Sequence, residues 1–337
     1  MVRSIVLCAV LAAVPAFGQT SKAAAKAREA LDANKPYRAL KLCTKELGKK
    51  IPDAACYALR AEARNRISEP REAILDARQG MRVKGESSIN AQLQLGIAYH
   101  AIGMRDSADQ MFRGILDVSD EAKYRLALVL RETDREQAAL DLMNEVLAGS
   151  KSARYFRERG VIHALLNDSA AARADLDKAV ELEPENPVQW NTRGYYAFGI
   201  FGAHQRAIAD YDKAIKLDKN HGYAFNNRGW SRYKLGNVEA GLRDIRLAGR
   251  KNPGNAMVDR NLGVIAHEQG KTQLACTLWR QAIDKDFTMR FGTEVEELVR
   301  QHCGKTTSPA PQDMQDRNAP AAPNTPNAPN KKRGNAP

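Results

Sequence analysis

From Pro187 to Pro253 the chain writes one pattern twice, and this duplication constrains its fold more than any other feature. PVQWNTRGYYAFGIFGAHQRAIADYDKAIKLDKN is followed by HGYAFNNRGWSRYKLGNVEAGLRDIRLAGRKNP, with Arg193-Gly194 echoed by Arg228-Gly229, Ala207 by Ala240 and Tyr211 by Ile245. Each copy reads as a helical hairpin. In the first, Trp190 to Phe198 has helical spacing, Gly199 to His204 supplies a turn, and Gln205 to Leu217 resumes the 3.6-residue period until Asp218-Lys219-Asn220 ends it. A period of this length built from two short helices predicts a stacked array, because one hairpin alone cannot bury its apolar face.

The repeat extends in both directions. Small residues at Ala61, Gly96, Ala127, Gly160, Gly194, Gly229 and Gly263 recur every 31 to 35 residues, a regularity that an ordinary helical bundle would rarely produce by chance. A small residue at that point lets the two helices of a hairpin approach closely. Tracing outward gives about eight hairpins over residues 19–303, with a weaker copy at Tyr57–Ala77, a degenerate one around Tyr124–Val146, and a first one at Ala23–Leu47 split by Asn34-Lys35-Pro36. A short helix at Thr293–His302 would cap the last apolar face.

In both central copies an aromatic (Trp190, Phe225) stands four residues before a glycine (Gly194, Gly229), and an alanine (Ala214, Ala248) lies near the end of the second helix. Pro253 closes the second copy. By these residues the chain resembles the tetratricopeptide repeat family. The resemblance implies an all-α fold, a right-handed α-solenoid of stacked helix-turn-helix repeats, whose first helices line a concave groove for an extended peptide or a partner's helix. The first copy is one residue longer, and the sequence places that residue in the turn Gly199–Gly202.

Candidate groove residues follow from spacing. Tyr223, Asn226, Trp230 and Tyr233 fall at intervals of three, four and three, one stripe of a helix. The preceding hairpin offers Asn191, Tyr195 and Phe198, and the next offers Arg260, Val264 and His267; Lys234 and Arg260 would attract an acidic partner. Aromatics supply contact area, and Asn or Arg can pair with peptide backbone or carboxylate. The competing reading is that this stripe packs between neighbouring hairpins.

Arg3, the run Ile5–Val14 and the small residues around Ala16-Phe17-Gly18 have the form of a signal peptide over residues 1–18, so the expected mature terminus is Gln19 and the chain is expected in the periplasm or outside the cell. The run is too short to span a bilayer. Four cysteines remain after such cleavage. In an oxidising compartment an even count favours bridges, and antiparallel helices would pair Cys43 with Cys56 and Cys276 with Cys303; the alternative is four small buried residues. No spacing suggests a metal.

From residue 304 to 337 the chain turns to Pro, Asn and Ala, a composition that cannot offset the entropy of ordering, and a disordered tail is expected, either a tether or without a role. The formal charge of +12 divides into +1 at Arg3, +3 in the tail and +8 in the repeats. That excess favours anionic surfaces or acidic peptides, while an exported chain without a nucleic-acid module argues against nucleic acid.

No GxSxG, HExxH, Walker loop or GxGxxG is present, and the six histidines are scattered. Asp175, Asp177, Asp210 and Asp212 recur with the repeat and read as helix solvation. The expected function is therefore a non-catalytic scaffold of the bacterial envelope that binds a protein or peptide, without cofactor. The second reading is a structural subunit acting through its convex face and tail.

Overall fold

The computed structural model describes residues 21–50, 53–82 and 86–304, with residues 86–87 and 289–290 described by backbone alone. The expected signal segment, the Gln19 terminus and the tail from residue 305 lie outside the described residues. Every regular element described is helical, in antiparallel pairs: α1 (Lys22–Asp32) with α2 (Pro36–Leu47), α3 (Ala55–Arg66) with α4 (Pro70–Gly80), α5 (Glu86–Ala101) with α6 (Arg105–Arg113), and α7 (Asp120–Arg131) with α8 (Glu136–Gly149). Then come α9 (Ala153–Leu165) with α10 (Ser169–Leu182), α11 (Pro187–Arg193) with α12 (His204–Leu217), α13 (Gly222–Lys234) with α14 (Val238–Lys251), and α15 (Ala256–Glu268) with α16 (Thr272–Asp284). Two short helices follow, α17 (Phe287–Phe291) and α18 (Glu294–His302). The chain forms two compact units, one ending at Asn255 and the other beginning at Ala256. This is the architecture of an all-α helical solenoid.

One contact builds every hairpin. A small residue of the first helix faces a residue sixteen positions on in the second: Gly96 faces Phe112, Gly160 faces Leu176, Gly229 faces Ile245 and Gly263 faces Trp279, while in hairpin six Gly194 faces Tyr211, seventeen on. A Cβ at Gly96 would lie 2.5 Å from the Phe112 ring, and one at Gly263 would lie 2.5 Å from Trp279. Phe112, Leu176, Ile245 and Trp279 are wholly buried. Burying each contributes about 2 to 3 kcal/mol, so the glycines matter because they admit these side chains.

The turn between the two helices is fixed just as tightly. Seven residues after the small position a residue adopts positive φ: Asn34, Ser68, Gly103, Asp134, Asn167, Gly236 and Gly270, at φ between 53° and 84°. Hairpin six alone takes eight, from Gly194 to Gly202 at φ 76°. The surplus residue is therefore not in the turn, where the sequence placed it. It is absorbed upstream by a π-helical turn at Gly194–Gly199, the usual way a helix accommodates one inserted residue.

Two of the four recurring carboxylates are not solvated. Asp175 and Asp210 are buried, 6% and 4% exposed, as are Asp76 and Asp244. Each receives two parallel hydrogen bonds from the arginine next to the small residue of its own hairpin, namely Arg159, Arg193, Arg60 and Arg228. Asp177 and Asp212 keep more solvent, yet each takes a bond from the arginine of the following hairpin, Arg193 and Arg228. Burial offset by a bidentate partner explains their recurrence.

The cysteines divide. Cys276 and Cys303 are joined, with Cα atoms 5.6 Å apart, and tie α16 to the end of α18 in the second unit. Cys43 and Cys56 come together across α2 and α3, but as two buried thiols. Cys43 stands at the core position that Phe112 and Leu176 fill in other hairpins, sixteen residues after Ala27 and in one apolar cluster with it. A hydrogen bond with Cys43, then burial, pushes the Cys56 thiol up, so both sulfurs behave as small core residues.

Candidate functional site

The stripe expected at α11 and α13 is divided by burial. Phe198 is 8% exposed and Asn226 1%, which removes both from a ligand's reach. For Phe198 the cause is the π turn, which carries it into a cluster with Leu176 and Tyr211. At α13 the outward amide is Asn227, whose Nδ2 donates to Asn191 Oδ1 at 3.1 Å. Tyr223 is exposed at 41%. Trp230 stacks on Tyr233 with ring centres 5.8 Å apart, and Lys234 Nζ sits 5.0 Å above the Trp230 ring. Tyr195 meets Tyr196 edge to face at 4.8 Å. In the second unit, Arg260 is paired with Glu294, and His267 lies against Trp279 and His302.

A cavity of about 570 Å³ opens elsewhere, within the first unit, on the first helices of hairpins one to five. Its floor is α5, which contributes Leu93 and Ile97 with the amides of Asn90 and Gln94. Asn65 of α3 joins them: its Nδ2 donates to the Gln94 carbonyl at 2.9 Å and to Gln94 Oε1 at 3.1 Å. That arrangement leaves Asn65 Oδ1 buried without a hydrogen-bond partner.

Charge is gathered at the two ends. At one, Glu62 of α3 accepts from Arg28 of α1 at 2.9 Å and from Arg66 at 2.6 Å. At the other, Glu121 of α7 accepts from Arg125 at 2.8 Å and from Arg154 of α9 at 2.6 Å. Burial weighs against the Arg154 charge, but Glu121 and the Tyr155 hydroxyl outweigh it and hold the guanidinium above its ordinary value. The second end thus sets two cations around one carboxylate, whereas at the first Arg28 also meets Asp32, at 3.9 Å.

Counted from the small residue of each first helix, the lining residues fall at minus six (Asn90, Glu121, Arg154), minus three and minus two (Leu93, Gln94, Arg125), plus one (Arg28, Glu62, Ile97), and plus four and five (Asn65, Arg66). Tyr223, Asn226, Trp230 and Tyr233 occupy minus six, minus three, plus one and plus four from Gly229. The stripe register was therefore readable, and its use in hairpins one to five could have been found by carrying it back from Gly96. Among the described residues no group of three His, Cys, Asp or Glu side chains could hold a metal, and no helix is long and apolar enough to cross a membrane.

The family profile of the tetratricopeptide repeat matches residues 154–186, which span α9 and α10. Two solved structures are similar in fold. The APC/C hetero-tetramer Cut9-Hcn1 matches with a TM-score of 0.60 at 17% identity, over 83% of this chain and 55% of that one. A tetratricopeptide repeat protein from Parabacteroides merdae matches with a TM-score of 0.61 at 15% identity, over 73% of this chain and 98% of that one. This chain thus spans little more than half of the first. No curated protein matches the sequence.

Proposed function

We propose that this chain, a tetratricopeptide repeat protein, is a non-catalytic scaffold that holds a protein partner through an extended segment laid across α1, α3, α5, α7 and α9. The cavity on those helices carries the reading, because it spans five first helices and combines an aliphatic floor at Leu93 and Ile97, an amide network of Asn65, Asn90 and Gln94 beneath it, and arginines at its two ends. The place of work is the bacterial envelope, supported by the leader-like sequence of residues 1–18.

The double substitution Asn65→Ala, Gln94→Ala tests this reading. Its helical content by circular dichroism stays that of the wild type, and it no longer retains the partner that the wild-type chain retains in affinity capture. Retention by a folded double variant would move the interaction to another surface. Fractionation of cells tests the location: full-length chain retaining Met1 in the cytosol contradicts it.

A further inference from the structure

We propose that the outer face of α2 is a docking surface for a bilayer containing anionic phospholipid, an inference that stands apart from the groove. Hairpin one is where the charge of the repeats is concentrated. Between residues 21 and 50 nine lysines and arginines stand against Glu29, Asp32 and Glu46, so +6 of the +8 carried by the repeats lies in this one hairpin. Most of it is on α2 and its flanks. Lys35, Arg38, Lys41, Lys45, Lys49 and Lys50 are all exposed, and Glu46, the one acid among them, is buried.

The helix period sets these cations on one side. Arg38, Lys41 and Lys45 follow at intervals of three and four, opposite Ala39 and Cys43, which pack into one cluster with Ala27, Leu31, Cys56 and Leu59. The apolar side of α2 is thus spent on α1 and α3, and the basic side faces solvent, away from the first helices that carry the cavity. The acids of the hairpin do not cancel it. Glu46 is taken by Lys49, Asp32 lies 3.9 Å from Arg28, and Glu29 is on α1. Beyond the hairpin, Asp53 accepts from the Ser21 and Ala55 N–H groups. Among the described residues, Lys35, Arg38, Lys41 and Lys45 form no ion pair. A face that is only solvated looks different: α10 pairs Arg173 with Asp177 and Lys178 with Glu181, and α8 exposes Asp141 and Glu145 with no cation of its own.

The chemistry of the face favours lipid. Five of the six cations are lysines, whose mobile ammonium groups suit a fluid field of headgroup phosphates, whereas a bidentate site calls for arginine. Tyr37, 71% exposed beside this row, has the ring and hydroxyl that settle at headgroup level. A nucleic-acid strand asks for several rings on which its bases stack, and α2 has one.

Cosedimentation with vesicles of the chain purified from its native host tests this. Vesicles of phosphatidylglycerol and phosphatidylcholine in equal parts should retain it, vesicles of phosphatidylcholine alone should not, and raised salt should release it. Lys41→Gln with Lys45→Gln should lower the partition about tenfold or more, with an unchanged circular dichroism spectrum. Arg246→Gln with Arg250→Gln, which removes the same charge from exposed positions of α14, should leave the partition as it is. Equal losses in the two variants would reduce the effect to net charge and overturn the assignment to α2. Retention by phosphatidylcholine alone, indifferent to Lys41 and Lys45, would overturn it in favour of an apolar segment. A loss confined to Lys331→Gln, Lys332→Gln, Arg333→Gln would move the attachment to the tail. Duplex DNA held more tightly than the vesicles, and lost with the same two lysines, would replace lipid with nucleic acid. No retention by the anionic vesicles would overturn the inference outright.

Discussion

Arg159 on α9 and Asp175 on α10 stand sixteen residues apart and meet fork to fork, Nε to Oδ2 at 2.7 Å and Nη2 to Oδ1 at 2.8 Å. Arg60–Asp76 and Arg228–Asp244 repeat the relationship, and Arg193–Asp210 does so at seventeen, the π-helical turn of hairpin six adding one residue between them. In hairpins three, four and eight the same two positions hold Leu95 and Met111, Leu126 and Leu142, and Leu262 and Leu278. In seven of the eight hairpins the two sites agree, charged with charged or apolar with apolar; hairpin one differs, with an exposed Lys26 opposite Leu42. The physical reason is that a lone charge left in this partly buried place is costly, whereas an ion pair and an apolar pair are close alternatives.

The exchange can be tested directly. Asp175→Leu, which strands Arg159, is expected to destabilise the first unit by about 3 kcal/mol. Adding Arg159→Leu recovers most of that loss, as urea denaturation of the single and double variants will show. A double variant no more stable than the single would contradict the pairing.

Gly160 makes the corresponding prediction for packing. A Cβ there would lie 2.7 Å from Leu176 Cγ and 3.1 Å from the Ala172 carbonyl oxygen. Gly160→Ala is expected to cost about 1 to 3 kcal/mol by overpacking. The cost falls when Leu176→Ala is added, which recreates the small pair of Ala61 and Ala77 in hairpin two, so the two changes are not additive in thermal denaturation.

His221 makes the stability depend on pH. Its Nδ1 accepts the Ala224 N–H at 3.2 Å and so caps α13, and burial holds the imidazole pKa below its ordinary value. A base with a depressed folded pKa contributes stability that is complete above its unfolded value, about 6.5, and is lost as the pH falls through the folded value. His221→Asn keeps a cap that does not titrate. The variant should lose less thermal stability than the wild type as the pH falls from about 7 to 5, and equal losses would remove His221 as the cause.

The cysteines separate by chemistry. Non-reducing peptide mapping should find Cys276 linked to Cys303, with Cys43 and Cys56 alkylated only after unfolding. Reduction should lower the stability of the second unit by about 3 kcal/mol, the scale for a loop of this length. A Cys43–Cys56 bridge in natively purified chain would contradict the two buried thiols.

Much of the fold was legible because one steric rule repeats: a small residue, a bulky residue sixteen positions later, and a positive-φ residue seven positions later. Gly96, Phe112 and Gly103 carry that rule as clearly as Gly229, Ile245 and Gly236. The inserted residue of hairpin six was misplaced because the turn sequence gives no sign that a helix upstream has widened. Asp175 looked like surface because periodicity does not reveal a partner sixteen residues away. The groove was missed for a similar reason. Its register can be read from Tyr223 or Trp230, but the set of hairpins on which that stripe encloses a cavity is decided by how α1 to α9 stack. The sequence cue that remained, Arg28, Arg66, Arg125 and Arg154 interleaved with Glu62 and Glu121, looks like ordinary helix charge until those helices lie side by side.

Site-specific photo-crosslinking tests the central claim most directly. A photoreactive residue placed at Leu93, on the floor of the groove, is compared with one at Tyr37, 71% exposed on α2, in the native host, and the crosslinked partner peptide is identified by mass spectrometry. The account predicts that one extended segment of a single partner is captured from position 93, and that this capture disappears in Asn65→Ala, Gln94→Ala. Capture of the same partner from position 37 and none from position 93 would contradict it, and would place the interaction on the second helices.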